Sequence, residues 1–230
     1  MDNNLQTMSS DIDNIVATFG SDESAFMELT GQAATPKSEG LSRLNINYDT
    51  ETEDGETLTR GDWKMMYLGE MVYAKEILIK PILRTFEWSI FDAEQGVFSS
   101  KSVQKPTMSG DFPDTEGGNK CGRLSQDEED KLKDDDPLKI KSRSAVCNQV
   151  LYSKVSGKFR KANGEEVEIS EHPAVAYFKR SGFLPIRNFI DSLTRQKKIM
   201  QKCWISLKTD KKKRGSVTYF VPVPTLSSET

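Results

Sequence analysis

Apolar and polar residues alternate with a period of two along most of the chain after Leu58. Successive side chains of a β-strand point to opposite faces of a sheet, so this alternation is typical of half-buried strands. Frequent aromatic and β-branched residues favour the same assignment. The pattern predicts strands at residues 63–67, 71–80, 82–91, 97–103, 145–157, 166–169 and 173–180.

A final β-hairpin is predicted from two alternating arms, residues 198–208 and 216–221, joined by a loop at residues 209–215. The loop carries four consecutive cations, Lys211, Lys212, Lys213 and Arg214. Along the first arm, one face should be buried because it holds Cys203, Ile205 and Leu207. The other face should be exposed, since it holds Lys202, Trp204, Ser206 and Lys208.

Helical spacing appears clearly once, ahead of this hairpin. The apolar residues that follow it are Leu184, Ile186, Phe189, Ile190 and Leu193. One helix before a closing hairpin, among many strands, is the layout of an OB-fold, a small barrel that binds strands on one sheet face. We therefore predict a mainly β fold, an OB-like small barrel with one main helix and long loops, plus an acidic N-terminal arm with short helices.

The sequence predicts three parts of the chain. Residues 1–57 form the predicted arm, with short helices near residues 9–19 and 22–29. Residues 58–224 form the barrel domain, and residues 225–230 form a short tail. A long loop, residues 104–137, is inserted in the domain; loops of this length are usually functional or disordered.

Charge is segregated along the sequence although the net charge is only −3. Residues 1–60 hold 3 basic and 12 acidic residues, and residues 126–136 hold 2 basic and 7 acidic ones. Residues 137–230 hold 19 basic and 7 acidic residues, a net charge of +12. This segregation indicates a basic working surface, together with acidic segments that compete for it or contact partners.

The sequence offers few residues in patterns that suit catalysis or cofactor binding. The one histidine, His172, precedes a proline, and the three cysteines, Cys121, Cys147 and Cys203, are isolated rather than spaced as zinc ligands. A Gly-rich phosphate loop and a dinucleotide fingerprint are both missing from the sequence. We expect no enzyme, no cofactor and no metal. The scattered cysteines indicate an intracellular protein, and apolar runs are too short for a transmembrane helix.

Cations stand next to aromatic residues at five places in the sequence. A positive groove with exposed rings binds single-stranded nucleic acid without reading its sequence, because phosphates follow the cations and bases stack on the rings. We therefore predict single-stranded DNA as the partner. The predicted binding residues are Trp63, Lys64, Lys75, Arg84, Trp88, Lys158, Arg160, Lys179, Arg180, Lys202, Trp204, Lys208, Lys211, Lys212, Lys213 and Arg214. Trp63, Trp88 and Trp204 are the expected stacking rings.

Five short motifs suggest a family. They are Gly-Asp-Trp-Lys at 61–64, Tyr-Ala-Lys-Glu-Ile at 73–77, Lys-Cys-Gly-Arg-Leu at 120–124, Val-Leu-Tyr at 150–152, and Tyr-Phe-Val-Pro at 219–222 after the Lys-rich segment. With these motifs, residues 58–224 resemble the divergent OB-type single-stranded-DNA-binding proteins of bacteriophages. The resemblance implies a DNA replication or recombination protein that coats exposed DNA in the host cytoplasm.

One feature departs from that family. Its members typically end in an acidic tail that recruits replication proteins, whereas this chain ends Leu-Ser-Ser-Glu-Thr. We expect its acidic segments, near the N-terminus and at residues 126–136, to take that role. Two other functions stay open: a structural or assembly protein without nucleic-acid affinity, and an RNA-binding accessory factor. Oligomerisation also stays open.

Overall fold

The computed structural model describes residues 41–92 and 95–227. The predicted short helices near residues 9–29 lie outside the described residues. The strands are β1 Ser42–Ile46, β2 Trp63–Tyr67, β3 Glu70–Ala74, β4 Ile77–Asp92, β5 Val97–Lys101, β6 Val146–Lys161, β7 Glu166–Phe178, β8 Ile205–Arg214 and β9 Val217–Leu226. The helices are α1 Gln126–Glu129, α2 Pro137–Ser144 and α3 Phe183–Arg195, and 3₁₀ turns span Arg180–Gly182 and Met200–Lys202.

Five strands close into a small barrel in the order β1-β2-β3-β6-β7. Neighbours in this order are antiparallel, except that β7 returns to β1 in parallel, with Ser42 opposite Ala174. The mainly β fold class, with a small closed barrel and few helices, is confirmed and is consistent with an OB-like barrel.

Strand β4 extends the sheet beyond the barrel. It pairs with β6 from Leu78 opposite Ser156 to Ser89 opposite Val146. Its other edge holds β8 near Ile77 and β5 near Ile90. The β8–β9 hairpin therefore lies beside the barrel. The distal half of β4 extends away from the barrel.

The main core fills the barrel and continues onto α3. Ile186, Ile190 and Leu193 share one face of this helix and pack into the cluster that contains Leu151 and Phe159. This placement confirms the predicted amphipathic helix, since positions three and four apart lie on one helical face.

Trp63 belongs to this core, so its prediction as a stacking ring is wrong. Its side chain is 1% exposed, and its indole N–H donates to the Leu207 carbonyl at 3.0 Å. The physical reason is that successive side chains of a strand point to opposite faces. Trp63 shares the inner face of β2 with Met65, whereas Lys64 points outward.

The sheet starts earlier and ends later than the sequence predicts. Strand β1 begins at Ser42, inside the predicted arm, because Leu44 fills the barrel interior. Strand β9 reaches Leu226, two residues past the predicted domain end at Pro224. The predicted loop 104–137 contains a short helix, α1, which begins after Ser125 with a reciprocal Ser125–Glu128 capping box.

The cationic run lies in a strand, which corrects its assignment to a loop. The β8–β9 ladder continues to Arg214 opposite Val217, and residues 215–216 make the turn. Gly215 allows this tight turn because it adopts φ 59°. Ser206 is also buried rather than exposed, and its hydroxyl donates to Glu76.

Gly61 marks the place where the hairpin meets the barrel, and it supplies a stability test. A Cβ at Gly61 would lie 2.5 Å from the Phe220 ring, whereas a Cβ at Gly55 would meet nothing within 4 Å. Both glycines have positive φ, so Gly61→Ala and Gly55→Ala share that backbone cost. We expect Gly61→Ala to lower the free energy of unfolding by about 1–3 kcal/mol more than Gly55→Ala, in urea unfolding. Equal losses would show that Phe220 does not pack closely there.

Candidate nucleic-acid interface

Three adjoining clefts form one continuous surface, which we call the Arg180 track. The first, the Trp88 cleft, has a volume of about 540 Å³. It is lined by Trp88, Met108, Arg123, Arg143, Ala145, Val146, Cys147, Arg180, Phe183 and Leu184. Its aromatic members come from β4 and from the start of α3. Its cations come from the loop before α1, from α2 and from the turn after β7.

The second and third clefts adjoin the first through shared residues. The Arg214 cleft, of about 660 Å³, is lined by Arg180, Ser181, Arg214, Val217 and Tyr219. The Tyr48 cleft, of about 370 Å³, includes Ser181, Tyr48, Lys64, Tyr177 and Lys179. Arg180 belongs to the first two clefts and Ser181 to the last two, so the turn at residues 179–182 joins all three.

Two cations lie over the ring of half-buried Trp88. The Lys120 ammonium is 5.9 Å and the Arg123 guanidinium carbon 5.7 Å from the ring centre. Arg123 is also fixed from behind, because its Nη1 donates to the Ala145 and Ser142 carbonyls at 3.2 and 3.4 Å. Such contacts attract cations to an aromatic face and orient them at the cleft.

Glu129 positions two of the arginines from below. Its carboxylate is 5% exposed and lies 3.9 Å from Arg123 Nη2 and 3.6 Å from Arg143 Nε. A hydrogen bond from the Ser142 hydroxyl, and next the two guanidinium charges, hold the pKa of Glu129 below its usual value. The carboxylate is therefore ionised at neutral pH and balances one of the four cations around Trp88.

The backbone at two of these cations lies in the left-handed region. Lys120 and Cys121 have φ 56° and 58°, and Arg180 has φ 49°. The Lys120 segment is held in this shape, since the Cys121 N–H donates to the Asp114 carboxylate and the Lys120 N–H donates to the Phe112 carbonyl. Non-glycine residues adopt such conformations at a cost, and they cluster at binding sites.

The centre of the track is electropositive. Burial, and then the charges of Arg180 and Arg43, lower the pKa of Lys179. A bound anion would relieve this mutual repulsion. The same turn also offers aromatic surface, because Tyr177 precedes it and Phe183 follows it.

The structure brings five of the predicted binding residues into the track with exposed or half-buried side chains. They are Trp88, Lys64, Lys179, Arg180 and Arg214. Trp63 also borders the Tyr48 cleft, but it is buried in the core.

Ion pairs hold several of the other predicted residues. Arg160 pairs with Asp62 at 2.9 Å, Lys208 with Glu76 at 3.0 Å, and Lys212 with Asp210 at 2.6 Å. Arg84 pairs with Asp191 at 3.1 Å beneath α3. Even within the track, Lys64 pairs with Asp49 at 2.6 Å.

The remaining predicted residues lie outside the three clefts. Trp204 is half-buried, with the Lys80 ammonium 5.8 Å from its ring centre. The others are exposed lysines: Lys75, Lys158, Lys202, Lys211 and Lys213. Of these, Lys211 and Lys213 lie together on β8, and the other three lie on different segments.

The sequence prediction of the site missed several residues of the track, among them Arg123, Arg143 and Tyr219. It also missed Lys120, which lies over the Trp88 ring. Lys120 and Arg123 belong to the Lys-Cys-Gly-Arg-Leu motif, which carried the family resemblance without being assigned to the site. Arg143 follows the acidic run, and its partner Glu129 lies within that run. A search for basic residues beside an acidic run would have found it.

The described part of the chain offers little other chemistry. Within residues 41–92 and 95–227, His, Cys, Asp and Glu form no group of three or more that could hold a metal ion. His172 accepts or donates a 2.8 Å hydrogen bond with Ser42, and burial lowers its pKa. No helix among these residues is long and apolar enough to cross a membrane.

Comparisons with protein-family models, with curated proteins and with solved structures found no match to this chain. The function is therefore inferred from the geometry of the described residues and from the sequence motifs.

Cys147 provides a chemical test of the Trp88 cleft. Burial raises the pKa of this thiol to about 11, because it disfavours the thiolate. We expect the alkylation rate of Cys147 with iodoacetamide to rise about tenfold per pH unit from pH 7 to 10, since the thiolate is the reactive form. Peptide mass spectrometry distinguishes it from Cys121 and Cys203. A rate that levels off near pH 9 would show an ordinary, solvated thiol.

Proposed function

We propose that this protein binds single-stranded DNA with little sequence preference. The observation that supports this most directly is the Arg180 track, in which clefts bordered by aromatic rings are joined by an arginine that lines two of them. A single strand presents phosphates and base faces at regular intervals along one line. Adjoining clefts that combine cations with rings suit that arrangement.

Single-stranded nucleic acid fits this surface better than duplex DNA. The rings of Trp88 and Tyr219 are half-buried within clefts, so only an unpaired base could lie against them. The principal helix of the described part, α3, turns its apolar face to the core instead of offering a recognition face to a groove. Stacking on rings and phosphate contacts to cations are possible with every nucleotide, and this favours weak sequence preference.

The biological role follows from the family resemblance of the motifs. We propose that the protein coats exposed DNA during replication or recombination of a bacteriophage, inside the host cell. Arg123 of the track, and Lys120 over the Trp88 ring, come from the motif that carries this resemblance. The acidic segments are the proposed contact surface for replication proteins.

Salt dependence tests the proposal, because each phosphate that binds a cation releases a counterion. We expect affinity for oligo-dT, measured by fluorescence anisotropy, to fall steeply between about 50 and 200 mM salt. Arg180→Gln should weaken binding and reduce the slope of log K against log salt by about 0.7. Lys131→Gln, at an exposed lysine after α1, is the matched control and should change neither quantity.

Three other results would contradict this proposal. Absence of oligo-dT binding, together with self-association, would favour the structural or assembly function. Tighter binding of single-stranded RNA than of DNA would favour the RNA-binding function. An affinity for oligo-dT that does not change with salt concentration would show that phosphate contacts contribute little to binding.

Variants of Trp88 and Trp204 distinguish base stacking inside the track from binding by aromatic surface outside it. Trp88→Ala should weaken oligo-dT binding by about 1–3 kcal/mol if a base stacks there, and Trp88→Phe should restore part of the loss. Trp204→Ala should have a smaller effect, because Trp204 lies outside the three clefts. Circular dichroism would first confirm that each variant is folded. Equal losses from Trp88→Ala and Trp204→Ala would contradict a binding path confined to the track.

A further inference from the structure

Arginine residues along the track are concentrated at one end. The Trp88 cleft combines Arg123, Arg143 and Arg180 with Lys120 over its ring. Buried Glu129 balances one of these charges, and exposed Asp134 lies 3.5 Å from Arg143 Nη1. In the other two clefts, the lining cations are Arg214, Lys179, the shared Arg180 and a lysine paired with Asp49.

The Trp88 cleft is also an end of the series. It shares Arg180 with the Arg214 cleft and shares no lining residue with the Tyr48 cleft. A strand that follows the track therefore meets the other two clefts on one side of the Trp88 cleft. Of the three clefts, the one with the most arginines lies at this end.

Charge and geometry at this end suit a phosphate monoester better than an internal diester. An internal phosphate carries one negative charge, whereas a terminal monoester carries about 1.5 to 2 at neutral pH. Arginine binds such groups through two parallel N–H donors. Arg123 is already oriented by the carbonyls of Ala145 and Ser142, and Arg143 by Glu129.

We propose that the Trp88 cleft binds the terminal phosphate of a DNA strand, with the arginines on the phosphate and the terminal base against Trp88. This inference rests on the proposed function, and it adds a preference for phosphorylated strand ends. The same chemistry occurs at a 5′ and at a 3′ end, so the experiment compares both.

The test uses the full chain and three short dT oligomers at pH 7.5: one with a 5′-phosphate, one with a 3′-phosphate and one with hydroxyls at both ends. We expect one phosphorylated oligomer to bind roughly tenfold more tightly than the hydroxyl-ended one, as charge-assisted bidentate hydrogen bonds predict. The preferred oligomer identifies the end that is held. It should also slow alkylation of Cys147, which lines the cleft.

Variants on α2 locate the effect. Arg143→Ala should abolish the preference, and Arg143→Lys should restore only part of it, because lysine keeps the charge without the paired donors. Arg143 is half-exposed, with 52% of its side chain accessible, so its replacement should leave the fold intact. Lys141→Ala is the matched control on the same helix and should keep the preference.

The outcomes separate this inference from the proposed function. Equal binding of all three oligomers would overturn the terminal-phosphate site and leave single-strand binding in place. A preference that survives in Arg143→Ala would also overturn it, since the phosphate would then bind elsewhere. Failure to bind any oligomer would overturn the proposed function, and this inference with it.

Discussion

Trp63 joins the final hairpin to the barrel through one buried hydrogen bond. Its indole N–H reaches the Leu207 carbonyl inside the core, and the Thr209 hydroxyl donates to the Gly61 carbonyl at 2.6 Å just beyond. A buried hydrogen bond of this kind stabilises by about 0.5–1.5 kcal/mol, and an unpaired carbonyl there would cost about 1–3 kcal/mol. The bond matters for the site because Arg214 and Tyr219 lie farther along the same hairpin. Their position relative to Arg180, just after a barrel strand, depends on this attachment together with the pairing of β8 with β4.

Electrostatic compensation decides which basic surface is available to a polyanion. On the outer barrel face, Lys64 and Arg160 are paired with Asp49 and Asp62. A phosphate that approached these cations would have to compete with a carboxylate already in place. Around Trp88, by contrast, four cations share one buried carboxylate and one exposed one, so attraction for an external anion remains. Counting basic residues along the sequence cannot distinguish these two situations.

The sequence predicted the fold class and α3 because period-two and helical patterns are local. The prediction of Trp63 as a stacking ring was wrong, and the reason is again physical. Neighbouring residues on a strand point to opposite faces, so Trp63 and Lys64 cannot act together on one surface. Ring–cation contacts at the track join distant segments instead: Trp88 with Lys120 and Arg123, and Tyr177 with Arg43. The Trp88 contacts depend on how the loop at residues 104–125 folds over β4, and the Tyr177 contact depends on the pairing of β1 with β7. Local periodicity carries no information about either.

The acidic run at residues 126–136 has a structural task within the chain, whatever it contacts outside. Glu129 turns inward to hold Arg123 and Arg143, and Asp136 caps α2 by accepting from the Leu138 N–H at 2.9 Å. Lys139, which is 6% exposed, donates to the Leu132 carbonyl and pairs with Asp134. These contacts fold the run into a small support for the Trp88 cleft. Glu128 and Asp130 also accept hydrogen bonds within the chain, from Ser125 and Gln126. Because five of the seven carboxylates of the run are already used, a partner would meet chiefly the other two. The run therefore acts first as the scaffold that aims two arginines at the end of the track.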